Sequence, residues 1–187
     1  MRPDDLCTTP AEHAALAALR ERAGSGSPME RHCHRQFLIC ERLAGERAYD
    51  REVVLVACWL HDAGLWTASK DPYVTEGARL VQQVVAPFGW PQERLQLCMD
   101  AAEQHHAPRS VERLGPEVEL LRRSDLVDVS RGLVNFGIER AWLRELFRQI
   151  PRTGIWRHML GPATVQELRH RPRSLVGVFL APRRTTV

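Results

Sequence analysis

Lysine is almost missing from this sequence. Lys70 is the only one among 26 basic residues, and the other 25 are arginine. A GC-rich coding bias produces that preference, so the arginine excess is not in itself a sign of phosphate or nucleic-acid binding. Long apolar runs are missing too. None approaches the roughly 20 residues that a membrane helix needs. The first ten residues are polar, carry Asp4 and Asp5, and lack the hydrophobic stretch of a secretory signal. The five cysteines form no Cys-x-x-Cys pair and are odd in number, which argues against a disulfide framework or a zinc finger. A reducing cytoplasm fits that pattern. Cys40 and Cys58 sit in apolar runs and read as small core residues. Internal repeats and low-complexity blocks are absent.

What is present suits one globular domain. The chain has 187 residues, enough to bury a core without help, and its hydrophobic (44%) and charged (26%) fractions exclude wholesale disorder. The net charge of +3 is unevenly spread. Residues 151–187 hold seven arginines against one acid, Glu167, so residues 1–150 carry 19 basic and 22 acidic side chains. A nucleic-acid stripe along the whole chain is therefore not expected, and the basic C-terminal stretch reads as a surface or docking segment.

Between the Gly and Pro breakers, most segments have helix length. Thr9-Pro10-Ala11-Glu12 is a capping-box start for a helix to Ala23, and Ser27-Pro28-Met29-Glu30 repeats it for a helix to Ala44. Asp50 caps a third helix whose run from Val53 to Leu60 has no polar face and belongs at the buried centre. Val53 to Val56 alone would suit a strand, but no turn and partner strand lie nearby. Further helices are expected over 75–85, from Pro91 to His106, from Pro116 to Val129 and over 138–150, with a short one at 162–170. The fold class is all-α.

His61 and Asp62 end the apolar run, where an unpaired carboxylate would cost several kcal/mol (roughly 2 or more). A divalent cation removes that cost, because imidazole and carboxylate both ligate it. Other ligand types lie on other helices: His32 and His34, His105 and His106, and Asp125 on an otherwise apolar face.

The order His32-x-x-Arg35, His61-Asp62 and Asp125-x-x-Asp128 resembles the HD superfamily of metal-dependent phosphohydrolases. The resemblance implies a single-domain HD-type helical bundle over residues 28–150. Residues 1–27 then form an N-terminal helix and linker, and residues 151–187 a basic segment packed on the domain or extending from it. It implies His32, His61, Asp62 and Asp125 as metal ligands, with His34 replacing His32 if the helix register differs. Two-metal members carry a further His before a Gly-Ala pair; here Tyr73-Val-Thr-Glu76-Gly77-Ala78 has none, which implies one divalent ion (Zn, Mn, Fe, Co or Ni) rather than two.

The implied activity is hydrolysis of a small phosphorylated or nucleotide substrate by metal-activated water. Asp62, His105 and His106 are the catalytic candidates, and Arg35 the substrate-binding one, with Arg122 and Arg123 as further cations. A narrower likeness, through Glu76-Gly77-Ala78-Arg79, Trp90-Pro-Gln-Glu-Arg94 and Ile150-Pro151-Arg152, is to the cyanamide-hydratase-like branch. That branch implies a one-metal hydratase acting on a small nitrile. A di-iron oxygenase of the same superfamily and a non-enzymatic binding module are the remaining classes. The expected partner is a small molecule, with neither membrane nor nucleic acid, and self-association into a homo-oligomer is compatible with the sequence.

Overall fold

The computed structural model describes residues 2–67, 69 and 71–155. Eight helices build them: α1 (Pro3–Leu6), α2 (Pro10–Ala23), α3 (Pro28–Ala44), α4 (Arg51–Leu60), α5 (Tyr73–Val85), α6 (Gln92–Gln104), α7 (Pro116–Val129) and α8 (Arg140–Gln149). Short 3-10 turns occupy Ala63–Trp66, Ala86–Phe88 and Glu112–Leu114. No strand occurs among the described residues, and the chain is a single-domain, all-helical bundle. The expected helix at 162–170 and the basic segment beyond residue 155 lie outside the described residues.

The helix starts follow from local chemistry. The Thr9 hydroxyl accepts from the Glu12 amide at 3.2 Å, and the Glu12 carboxylate accepts from the Thr9 amide at 3.0 Å. That reciprocal pair satisfies two donors the first turn leaves open. Ser27 forms only half of the same box. Its hydroxyl accepts from the Glu30 amide, but the Glu30 carboxylate turns to the Gly26 amide and to Arg20. A nearby guanidinium offers a charge-assisted bond that the Ser27 amide cannot match. Asp50 caps α4 through the Val53 amide and is itself forked by Arg94.

α4 is the axis of the bundle. Every residue from Val53 to Leu60 is fully buried, and α2, α3, α5, α6 and α7 all pack against it. Each buried Val or Leu stabilises the fold by about 1.5–3 kcal/mol, so this segment cannot be moved outward to expose its C-terminal end. His61 and Asp62 are carried into the interior as a result. Leu6, Leu16 and Leu19 share the core with Phe37 and Trp59, so the N-terminal helices belong to the same body. Cys40 and Cys58 are fully buried, as their apolar settings suggested. A second cluster, Ile39, Val127, Ile138, Leu143 and Leu146, seats α8 against α3 and α7.

Two glycines bring α5 against the end of α4. A Cβ on Gly77 would stand 2.5 Å from the His61 carbonyl oxygen, and one on Gly64 would stand 2.0 Å from that of Tyr73. Neither approach is open to a residue with a side chain. α5 starts at Tyr73, two residues before the expected Thr75, and α6 stops at Gln104, which leaves His105 and His106 just past its end.

Candidate metal centre

Four helices deliver the polar residues that the sequence singled out. His32 lies in the second turn of α3. His61 and Asp62 follow directly on α4, His105 and His106 follow α6, and Asp125 faces inward from α7. All are buried except His106, whose side chain is 27% exposed. Asp62 Oδ2 is 3.3 Å from His61 Nε2 and 3.8 Å from His32 Nε2, while Asp62 Oδ1 is 3.4 Å from His105 Nε2. Asp125 reaches His32 Nε2 at 3.4 Å through one oxygen and His106 Nδ1 at 3.3 Å through the other.

These separations exceed those of good hydrogen bonds. They match two ligands of one ion, since metal–ligand bonds of about 2.0–2.1 Å place neighbouring donors roughly 3.3 Å apart in a tetrahedron. His32, His61 and Asp62 form one group whose ligand atoms all lie within 4.8 Å of one another, and Asp62, His105 and His106 form a second. Asp62 is common to both.

Tautomers reinforce the geometry. His61 Nδ1 is 2.9 Å from the Cys58 carbonyl oxygen, and His105 Nδ1 is 2.6 Å from that of Ala102. A carbonyl only accepts, so both Nδ1 atoms carry a proton, and in the neutral imidazole that a metal requires both Nε2 atoms are left as lone-pair donors. Those Nε2 atoms, with Asp62 Oδ1, are buried without a hydrogen-bond partner. Buried polar atoms are rarely left so, and a cation held by either group would give the atoms of that group a partner. The residues therefore fit a bound divalent ion.

The electrostatics are those of a compact cluster of opposed charges. Burial alone would raise the Asp62 pKa, but His61 and His105 outweigh it and hold the carboxyl well below the usual range. Burial works against the charged form of His32 as well. Its contacts with Asp125 and Asp128 prevail and lift it to about 10. His105 is raised for the same kind of reason, through Asp62. His106 goes the other way: burial, then the neighbouring His105, lower it to about 4. Asp125 is lowered, with His32 overcoming the effect of burial.

The expected residues fall into two sets. His32, His61, Asp62, His105, His106 and Asp125 come together. His34 does not; it is buried away from both groups, so the register favours His32. Arg35, expected to hold substrate, needs correction. It is completely buried, forks on Asp128 at 2.7 and 2.9 Å, and spends Nη1 on the Ile150 and Pro151 carbonyls. Arg122 and Arg123, the further cations, both pair with Glu119, and Arg122 is buried. Glu76 pairs with Arg79 and lies in neither group.

Sequence reasoning missed Tyr73, whose ring lies 6.3 Å from that of His105 and 6.2 Å from that of His106. Its place before Gly77, which lets α5 approach the His61 backbone, was the signal that could have found it. Comparison of the chain with protein-family models and with curated proteins finds no match. This is an all-helical protein with two buried His/Asp groups able to hold a metal ion. No helix among its described residues is long and apolar enough to cross a membrane.

Proposed function

We propose that the chain is a metal-dependent hydrolase of the HD-superfamily type, using water to cleave a small phosphorylated or nucleotide substrate. The observation that carries this reading is the buried group His32, His61 and Asp62, whose ligand atoms all lie within 4.8 Å of one another and whose His61 Nε2 has no hydrogen-bond partner. The motif order His32, His61-Asp62, Asp125 supports the superfamily, and the five free cysteines support a reducing cytoplasm.

His32, His61, Asp62 and Asp125 would hold a single divalent ion. Bound there, it supplies Lewis acidity toward a phosphoryl oxygen and an activated water at neutral pH. Asp62 orients the attacking water and takes its proton at a carboxylate oxygen. Fixed Nδ1–H bonds keep His61 and His105 from rotating as charge develops. His106 is the partly exposed member of the cluster, and its lowered pKa keeps the ring neutral, so its role would be to accept a proton near the reacting group rather than to donate one.

The test is purification without added metal, elemental analysis, and phosphate release from a panel of nucleotides and phosphate esters. We expect about one ion per chain, and phosphate release that His61→Ala abolishes and added metal does not restore. A metal-loaded wild type that releases no phosphate from the panel overturns the phosphohydrolase reading, and two irons per chain would move it to the oxygenase class.

One observation favours a second reading. The withdrawal of Arg35 into the core removes the cation assigned to a phosphate, as a hydratase for a small neutral nitrile would permit. Turnover of cyanamide or simple nitriles in place of esters would select it.

A further inference from the structure

Three histidines present Nε2 toward Asp62 or its neighbours, but they are held in two different ways. His61 and His105 lean on a carbonyl three residues back in their own helical turn. Such a contact forms whenever the local turn forms. His32 has no such support. Its Nδ1 lies 2.6 Å from Asp128 Oδ2, an oxygen that arrives on α7, 96 residues later in the chain. Its orientation is therefore a property of the tertiary fold.

Asp128 is itself built into place. Arg35, three residues after His32 and on the same side of α3, donates from Nε to Oδ1 at 2.7 Å and from Nη2 to Oδ2 at 2.9 Å. This planar fork fixes the plane of the carboxylate. Arg152 brings a second guanidinium to 3.7 Å from Oδ1 and donates to the Val129 carbonyl. Both Asp128 and Arg35 are fully buried. The remaining side of Arg35 is closed by backbone, since Nη1 lies 3.3 and 3.2 Å from the carbonyl oxygens of Ile150 and Pro151. Arg31 ties the same strap through the Pro151 and Thr153 carbonyls. The order of contact runs from the strap to Arg35, from Arg35 to Asp128, and from Asp128 to His32.

We propose that Asp128 is a positioning residue for the metal, orienting His32 so that Nε2 faces the ion, with Arg35 and the Ile150–Pro151 carbonyls holding Asp128 in that role. The assignment rests on the metal reading of the site and adds to it a part that touches no substrate and no ion. It also replaces the expected role of Arg35. A carboxylate behind a ligating imidazole fixes its tautomer and strengthens it as a donor, and loss of such partners weakens metal binding roughly 10–100-fold. The competing account is a plain ion pair that fastens α3 to α7. That account predicts lost stability with unaltered metal affinity in whatever still folds.

The decisive variant is Arg35→Met combined with Asp128→Leu, which removes both buried charges together and leaves apolar groups of comparable size. Zn²⁺ and Mn²⁺ dissociation constants are measured by chelator competition on the full chain, beside the metal-free thermal midpoint. Imidazole N–H resonances are followed by NMR. The expected result is affinity reduced roughly 10–100-fold in a folded protein, with loss of the slowly exchanging His32 Nδ1–H signal that the wild type should give. Arg35→Lys keeps the charge but not the fork. It should weaken binding to a smaller extent, and it carries the test if the double variant does not fold. Metal affinity equal to wild type in a folded variant overturns the proposal and leaves the hydrolase reading standing. A wild type that binds neither metal overturns both.

Discussion

Asp62 is shared by both metal-ligating groups, so it is the residue whose neutralisation reaches furthest. Asp62→Asn keeps the shape and removes the charge. We expect metal content to fall from about one ion per chain to nearly none, a loss beyond the roughly 10–100-fold that outer partners cost. Elemental analysis of the purified variant checks this. Titration offers a second residue-scale test, on the metal-free protein. His34 is held down to about 4, first by burial and then by nearby positive charge that includes Arg35, and His106 is held down to about 4 as well. A depressed histidine contributes stability that is present above the unfolded value near 6.5 and is lost as pH falls toward 4. His32, raised to about 10, contributes stability that is complete below 6.5 and lost as pH rises through 10. The two trends oppose, so the thermal midpoint should be highest near pH 6.5 and fall on both sides. A midpoint that climbs steadily from pH 5 to pH 9 contradicts these assignments. The candidate metal-binding pair was legible because an imidazole and a carboxylate at the end of a buried apolar run call for a cation between them. The role of Arg35 was not, because its partner lies 93 residues away and only the packing of α3 on α7 joins them.

Elements were legible where their signals are local. Thr9, Ser27 and Asp50 each stand at a helix start and accept a first-turn amide. The full box at Ser27 failed because Glu30 had a better partner in Arg20, which is tertiary information. The strand-like stretch Val53 to Val56 resolved as helix because its β-branched side chains are enclosed on every side by other helices. α5 supplies the test at this scale. Gly77→Ala forces a methyl group onto the His61 carbonyl, and only movement of backbone can relieve the overlap. We expect destabilisation of about 1–3 kcal/mol. Weaker metal binding should accompany it, since the displaced carbonyl belongs to a ligand. Denaturant unfolding of the metal-free and metal-loaded variant separates the two effects, and a variant as stable as wild type would show that α5 can retreat.

For the whole molecule, the centre joins α3, α4, α6 and α7, and every one of these also contributes to the main core. Metal should therefore stabilise the fold globally rather than one corner of it. At a free concentration 1,000 times the dissociation constant the gain is about 4 kcal/mol. For a domain of this size that corresponds to a rise of roughly 8–16 °C in the thermal midpoint. Scanning calorimetry with and without added ion measures it, and a shift under 2 °C with any divalent metal, at saturating concentration, would count against the centre. The all-α class and single body were legible from segment lengths and the buried α4 run. The convergence of four helix ends was not, because no periodicity reports which ends meet. The Gly64–Gly77 approach has a last consequence for motion. Where helices touch through side chains, rotamer changes absorb small displacements before they travel. Here backbone rests on backbone, with a carbonyl oxygen where a methyl group would otherwise sit. No soft layer lies between α5 and the residue that begins the His-Asp pair. A displacement of the first turns of α5 therefore bears directly on the backbone of His61, with no side chain between them to take it up.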